Sequence, residues 1–223
     1  MIPEQIFIDK DVNKIAISNS GGLDSSLMTY LLCKYITDNN LNVEVYPMHG
    51  IDNTRPTSPE NVQNIINFLR EQFPKVKIHD MLTWDNTKDW IVPKTKKDSA
   101  GLTKHCVENN ITHIYGGRTA NPPPDVMHQI GMKAMQSERI HNNDKDISER
   151  IRGGYLIRPW VNVDKKFIYD LYVKFNLLET LAPLTWSCIG FADATNFFSK
   201  PCGKCEWCKE KKWAFGYDWC RRL

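Results

Sequence analysis

Two short stretches of the chain combine residue types and spacings that can do chemistry. The first is Ser20-Gly21-Gly22-Leu23-Asp24-Ser25, which follows the apolar run Lys14-Ile15-Ala16-Ile17-Ser18 through Asn19. A strand feeding a Gly-Gly turn at a helix N-terminus makes an anion site. Free backbone N–H groups point outward, the helix dipole adds partial positive charge, and glycines let phosphates approach the backbone. Ser20 and Ser25 add hydroxyl donors. The turn lacks the Gly-Lys-Ser/Thr ending of the usual phosphate loop, which argues against γ-phosphoryl transfer. The absence of Gly-x-Gly-x-x-Gly argues against a dinucleotide.

The second stretch is Cys202-Gly203-Lys204-Cys205-Glu206-Trp207-Cys208, two overlapping Cys-x-x-Cys units, with Cys188 upstream. Four thiolates in this arrangement can close a tetrahedron on Zn²⁺ and leave no open position for water, the pattern of a structural site. Lys200, Lys204 and Lys209 would offset its negative charge. An iron–sulfur cluster also takes four cysteines, and Cys220 can stand in for Cys188 as fourth ligand. A thioredoxin-like redox pair fits less well, because the motif does not begin a helix after a first strand. Cys33 and Cys106 fall in expected helices and read as small core residues.

The elements that must position these groups follow from hydrophobic periodicity. Lys14–Ser18 reads as a buried strand, and Leu27, Leu31 and Ile36 continue past the glycine turn near helical spacing. Residues 42–48 form a second expected strand, and 59–73 a helix with Val62, Ile65, Ile66 and Leu69 on one face and Pro59 in its first turn. Further strands are expected at 76–78, 111–115 and 155–160, with helices over 98–110 and 164–178, the latter placing Phe167, Leu171 and Phe175 at i, i+4, i+8. Residues 118–154, with Pro122-Pro123-Pro124 and a polar run at 142–146, read as an irregular region that covers substrate or is poorly ordered.

Strands alternating with helices imply an α/β fold with a parallel sheet, whose ligands bind at the carboxyl ends of the strands. Residues 20–25, 49–52 and 116–118 would all emerge there. The division expected is a nucleotide-binding domain over 1–183 and a cysteine segment over 184–223.

Composition sets the bounds. The chain has 223 residues, 41% of them apolar and 25% charged, with a net charge of +3, so it fits one α/β domain with a modest appendage. The opening Met1-Ile2-Pro3-Glu4-Gln5 has neither the cationic start nor the apolar run of a signal peptide, and no stretch approaches the roughly 18 apolar residues that span a membrane. A cytoplasmic protein is expected, where clustered cysteines point to metal more than to disulfides.

Ser20-Gly21-Gly22-Leu23-Asp24-Ser25 resembles the pyrophosphate loop of the ATP pyrophosphatase superfamily, which includes asparagine synthetase, GMP synthetase and tRNA-thiolating enzymes. The resemblance implies a Rossmann-like sheet and an enzyme that splits ATP between its α- and β-phosphates. Ser20, Gly21, Gly22, Asp24 and Ser25 would grip the pyrophosphate, Asp24 working with Mg²⁺. Ser18, Leu23, Met48 and His49 complete the expected nucleotide-binding set; His49 reads as lining the pocket through its backbone. Arg158-Pro159-Trp160 followed by Asp164-Lys165 is similar to the family's downstream segment, so Arg158 and Lys165 would neutralise the leaving pyrophosphate, with Lys166 a neighbouring choice. An ordinary helix start with Asp164 as N-cap accounts for the same residues.

The order of motifs narrows the resemblance. The loop, then Thr185-Trp186-Ser187-Cys188, then Cys202, Cys205 and Cys208, resembles the 7-cyano-7-deazaguanine synthase family. That resemblance implies a Cys₄ zinc site on Cys188, Cys202, Cys205 and Cys208, a homodimer, and a ligase that turns a 7-carboxy-7-deazaguanine into its nitrile with ATP and ammonia. The segment 116–125, Gly-Gly-Arg-Thr-Ala-Asn-Pro-Pro-Pro-Asp, departs from the family's substrate-pocket sequence, so Arg118 is a candidate for the substrate carboxylate and an exposed loop arginine equally. Two other readings stand beside this one. A related enzyme could adenylate an RNA base, held by Trp207, Lys209, Lys211, Lys212, Trp213, Arg221 and Arg222. A non-catalytic nucleotide- and zinc-binding scaffold is the third, against which Asp24 and Lys165 argue.

Overall fold

The computed structural model describes residues 6–52, 58–85, 98–133, 139, 145–151, 153–190, 193–196 and 198–216. The elements run β1 (Lys14–Ser18), α1 (Leu23–Asp38), β2 (Glu44–Ile51), α2 (Ser58–Gln72), β3 (Leu82–Asp85), α3 (Asp98–Glu108), β4 (His113–Gly116), α4 (Pro124–Gln129), β5 (Ser148–Ile151), β6 (Gly154–Ile157), α5 (Lys165–Lys174), a 3₁₀ turn (Ala182–Leu184) and α6 (Glu206–Phe215). Six strands form one sheet in the order β3-β2-β1-β4-β6-β5. All neighbours are parallel except β5, which runs antiparallel to β6 at one edge. This is the expected Rossmann-like α/β sheet. Strand order reverses between β1 and β4, and a crevice at such a reversal, beyond the strand carboxyl ends, is where these sheets bind ligands.

The core explains the sheet's position. Ile15 and Ile17 on one face of β1 join Leu27, Leu31 and Leu32 of α1 and Val62, Ile65, Ile66 and Leu69 of α2 in a large apolar cluster. Ala16, on the opposite face, packs with Met48, Leu102, Cys106 and Ile114 against α3. Successive strand residues thus feed both layers, as a strand covered on two sides requires. Ala214 and Phe215 of α6 belong to the larger cluster, so the cysteine segment is anchored in the same core. Cys33 is buried in this cluster and Cys106 in the one across the sheet, and burial pushes both thiols up to about 12. Among the described residues, no helix is long and apolar enough to cross a membrane.

Three helices end the same way. Asn40, Asn110 and Asn176 take left-handed φ values of 49°, 54° and 55°. The following apolar residue sends its N–H back five positions: Leu41 to Ile36 O, Ile111 to Cys106 O, and Leu177 to Tyr172 O. These are Schellman caps with asparagine in the place glycine usually takes. The third shortens the expected 164–178 helix to Lys165–Lys174, and its buried face centres on Ile168, Leu171 and Tyr172 while Phe167 and Phe175 pack from the side.

The expected strand at 76–78 is corrected. Ile78 makes only an isolated bridge to Val45, and the third strand is Leu82–Asp85, paired with the far half of β2. Val76 and Ile78 are buried anchors, while Lys77 and His79 both reach Glu44 at 2.7 Å. Hydrogen bonds from Lys77, then His79 and Tyr46, hold the Glu44 carboxyl down at about 2. The apolar pair therefore marks a docked segment whose polar side chains clasp β2. The region 118–154 also holds more structure than expected. Helix α4 has no buried residue and β5 is exposed over three of its four positions, so neither leaves a periodic trace. The expected strand 155–160 stops at Ile157, ahead of Pro159, which has no N–H for a ladder.

Candidate active site

The loop after β1 is built by its own polar side chains. Gly21 adopts φ +76°, a conformation that glycine tolerates without strain. Asn19 Oδ1 accepts from Gly21 N at 3.0 Å and from the Ser25 hydroxyl at 3.2 Å. Ser20 N donates to Ser25 Oγ at 3.1 Å, and the two serine hydroxyls are 3.1 Å apart. Gly22 is the N-cap of α1 and makes no side-chain cap bond. The N–H groups of Ser20, Gly21, Gly22 and Leu23 donate to side chains here; an anion at this helix head would take them over and meet the positive end of the dipole. Gly117, just past β4, packs against this head: a Cβ there would lie 2.6 Å from Asp24 C and Ser25 N. The β4 loop therefore closes onto the first turn of α1 only because residue 117 has no side chain.

Asp24 and Lys165 meet at this point. Asp164 caps α5 by accepting from Lys166 N at 2.9 Å, and Lys165, the first helical residue, turns inward and donates from Nζ to Asp24 Oδ2. Asp164 is thus the N-cap, and Lys165 is the residue that reaches the loop acid. Lys165 is only 4% exposed. Asp24 Oδ1 is buried and has no hydrogen-bond partner among the described residues. Behind the lysine stands Glu210 of α6, its Oε2 3.9 Å from Nζ. Glu210 Oε1 accepts from the Arg139 guanidinium, which also donates to Thr119 O at 2.9 Å and Ala120 O at 3.1 Å.

The structure brings together the cysteines expected to form one site. One sulfur from each of Cys188, Cys202, Cys205 and Cys208 lies within 4.8 Å of all the others, and Cys202 and Cys208 are 3.9 Å apart. Backbone N–H groups of Gly190 and Cys202 donate to Cys188 Sγ at 3.3 and 3.2 Å, and that of Cys205 to Cys202 Sγ at 3.4 Å. Such donors stabilise thiolate charge. Sharing hydrogen bonds within the cluster, first with Cys188, drives the Cys205 thiol far below its ordinary range. The same contacts push Cys208 far up and Cys188 to about 11. Four thiolates this close repel one another and need a cation, so the donor set fits a thiophilic metal. Cys220 lies outside the described residues, as do Arg221 and Arg222.

The remaining expected site residues are placed as follows. Ser18 ends β1 opposite Met48 and Gly116. Met48 turns its side chain into the core, 3.8 Å from Cys106 Sγ, while its carbonyl accepts from Asn19 N at 2.8 Å. His49 is buried and donates from Nδ1 to Asn19 O at 2.8 Å, and burial lowers its pKa. Arg158 pairs with Glu149 of β5 at 2.9 Å and lays its stem over Gly116. Arg118, past β4, shares a positively charged neighbourhood with Lys145 and Arg139; burial first, then those two guanidiniums, lowers the Lys145 pKa. Trp213 packs on the main core and under Lys166, whose Nζ is 5.2 Å from its ring centre.

The sequence places Gly117 at the strand ends without giving it a role, and does not reach Asn19, Arg139, Ser187 or Glu210. Asn19 has a local signal, since an asparagine two residues before a glycine turn can fold back on it. Ser187 lay within a motif singled out for its cysteine. The others act through contacts with distant parts of the chain.

The sequence profile of the PP-loop domain matches residues 3–179. No curated protein matches the chain. Among solved structures it is similar to the U34-tRNA thiolase NcsA from Methanococcus maripaludis with its 4Fe-4S cluster, at 14% identity over 97% of this chain and 74% of that one, with a TM-score of 0.49. It is also similar to NAD+ synthetase from Burkholderia pseudomallei, at 13% identity over 89% of this chain and 74% of the other, with a TM-score of 0.39.

Proposed function

This chain belongs to the PP-loop domain family, and from that membership we propose that it is an ATP-splitting ligase that adenylates a carboxylate and then adds ammonia, with 7-carboxy-7-deazaguanine as the acceptor. The observation that carries the reading is the Asp24–Lys165 pair at the head of α1, set in the crevice where strand order reverses. An anion-binding helix head, an acid with an unpartnered oxygen and a buried ammonium are together what a leaving pyrophosphate needs.

The carboxylate oxygen attacks the α-phosphorus, and the bond from that phosphorus to the β-phosphate oxygen breaks, releasing pyrophosphate. The loop N–H groups and the hydroxyls of Ser20 and Ser25 hold the departing phosphates, and Lys165 offsets the charge that develops on them. Asp24 Oδ1 fits a hard divalent cation, and Mg²⁺ held there would supply positive charge against the departing phosphates. Ammonia then attacks the acyl carbon, AMP leaves, and a proton is lost to give the amide. Adenylation of the amide oxygen by a second ATP releases a second pyrophosphate, and loss of AMP and of both nitrogen-bound protons gives the nitrile. His49, buried and donating to a backbone carbonyl, serves to fix the loop at Asn19.

For the cysteine centre the reading is a single structural Zn²⁺ on Cys188, Cys202, Cys205 and Cys208. Four sulfurs bonded to one zinc stand about 3.8 Å apart, which agrees with the 3.9 Å between Cys202 and Cys208. A cubane cluster would place each thiolate on its own iron with the whole core between them, and a group confined within 4.8 Å suits it poorly.

A second reading, an RNA base as acceptor, draws support from the positive neighbourhood of Arg118 and Lys145, which would suit a phosphodiester as well as a carboxylate. Incubation with Mg-ATP, ammonium and 7-carboxy-7-deazaguanine, followed by mass spectrometry, separates the two. The expected result is nitrile plus AMP, lost in Asp24→Ala. ATP binding without turnover of this base, but with AMP release on adding tRNA, would replace the acceptor.

A further inference from the structure

We propose that Glu210 is a positioning residue for the pyrophosphate-binding lysine, linking the helix that carries Cys208 to the ATP loop. The inference rests on the ATP-splitting reading above. Glu210 lies two residues beyond Cys208 in α6 and is fully buried, at 0% exposure. A carboxylate is placed so deeply only when cations answer it. A simple counter-ion for Arg139 would be expected to engage the guanidinium fork with both oxygens. Here Arg139 takes Oε1, and Oε2 has no hydrogen-bond partner among the described residues while standing 3.9 Å from Lys165 Nζ.

Lys165 therefore sits between two carboxylates, hydrogen-bonded to Asp24 in front and faced by Glu210 behind. The four groups Asp24, Lys165, Glu210 and Arg139 alternate in sign and sum to zero. The far end of this row is rigid, because Arg139 is tied to Thr119 O at 2.9 Å, Thr119 Oγ1 at 3.1 Å and Ala120 O at 3.1 Å. Were Asp24 to hold a divalent cation, its charge would be shared and its hold on the ammonium would weaken. Glu210 then keeps the ammonium buried and at the loop. Without that charge two cations face a single carboxylate, so Lys165 is drawn wholly onto Asp24 or displaced. In either position it no longer meets pyrophosphate.

The test uses Mg-pyrophosphate as the probe and titration calorimetry as the readout, on full-length protein whose metal content and melting curve are recorded alongside. Lys165→Met, Glu210→Gln and the double variant form a cycle, with Glu206→Gln, one turn away on the same helix, as the control. Glu210→Gln is expected to weaken binding about tenfold, and the double variant to bind no more weakly than Lys165→Met alone, the non-additivity of residues acting through one another. Glu206→Gln should bind as the unaltered protein does. Binding by Glu210→Gln equal to the unaltered protein, or losses that simply add in the double variant, overturns the proposal while leaving the ATP-splitting reading intact. Unaltered protein that binds neither Mg-ATP nor Mg-pyrophosphate overturns both. Should Glu210→Gln lose its fold or its metal, the charge-neutral pair Glu210→Gln with Arg139→Gln takes its place under the same criteria.

Discussion

The Ser187 hydroxyl accepts a hydrogen bond from Leu23 N at 3.4 Å, joining residues 164 positions apart. Next to it, Trp186 N donates to Gly21 O at 2.7 Å. The residue after Ser187 is Cys188, so the strand of chain that supplies the first thiol of the cysteine centre also lies along the anion loop. Sequence order keeps these parts at opposite ends of the protein; the fold makes them one unit.

Replacing Ser187 with alanine should therefore act at the loop. Leu23 is the first residue of α1, and its N–H has no intrahelical acceptor. Losing a remote cap of this kind costs about 1 kcal/mol. The expected outcome is a melting temperature lowered by a few degrees and Mg-ATP bound a few-fold more weakly, with metal content unchanged. Calorimetry, melting curves and metal analysis on one preparation check all three.

Removing the metal should reach further than the serine change. Four thiols within 4.8 Å cannot all ionise without a cation, so Cys205→Ser or chelation should loosen 188–208 as a unit. We expect less than one metal ion per chain, a melting temperature lower by at least several degrees, and weaker Mg-ATP binding through the loss of the Trp186–Gly21 contact. Zinc as the ion released, by elemental analysis, supports the mononuclear site; iron with sulfide overturns it.

What was legible in the sequence was what is local. The Ser20–Ser25 loop is six consecutive residues, three of the four thiols sit at short spacing, and the α2 face of Val62, Ile65, Ile66 and Leu69 repeats at helical period and is fully buried as expected. Asp24 and Lys165 were each visible, but their contact across 141 residues follows only from the strand order. Glu210 reads in isolation as one more charge on a polar helix, and Arg139 falls in a stretch without periodicity. A polar edge strand such as β5 carries no alternation to detect, and 76–78 misled because two buried apolar residues look the same in a docked segment as in a strand.

Gly117 supplies a test that depends on space alone. A methyl group there would lie 2.6 Å from Asp24 C and Ser25 N and 2.8 Å from Asp24 O, all backbone atoms that cannot rotate aside. Overpacking of this kind costs about 1–3 kcal/mol, and the relief available is to push the β4 loop away from the head of α1. Gly117→Ala should lower the melting temperature and weaken Mg-pyrophosphate binding together. A variant as stable as the unaltered protein with undiminished binding would show that the approach is not maintained in solution.

His49 makes the loop sensitive to acid, and the sign follows from its surroundings. Burial lowers its pKa below the ordinary 6.5, outweighing the bond to Asn19 O, so the folded protein holds it neutral. The unfolded chain takes up a proton near the ordinary value, while the folded chain does so only at lower pH. Between those two points the unfolded state binds more protons, and stability falls as pH falls. The contribution is therefore complete above about pH 7 and is lost as pH drops through the folded value. Melting temperatures across pH 5 to 8 should decline on the acid side, and the decline should be shallower in His49→Asn, whose side chain can donate to Asn19 O but does not titrate. Parallel profiles for the two proteins would mean that acid acts elsewhere than at this loop.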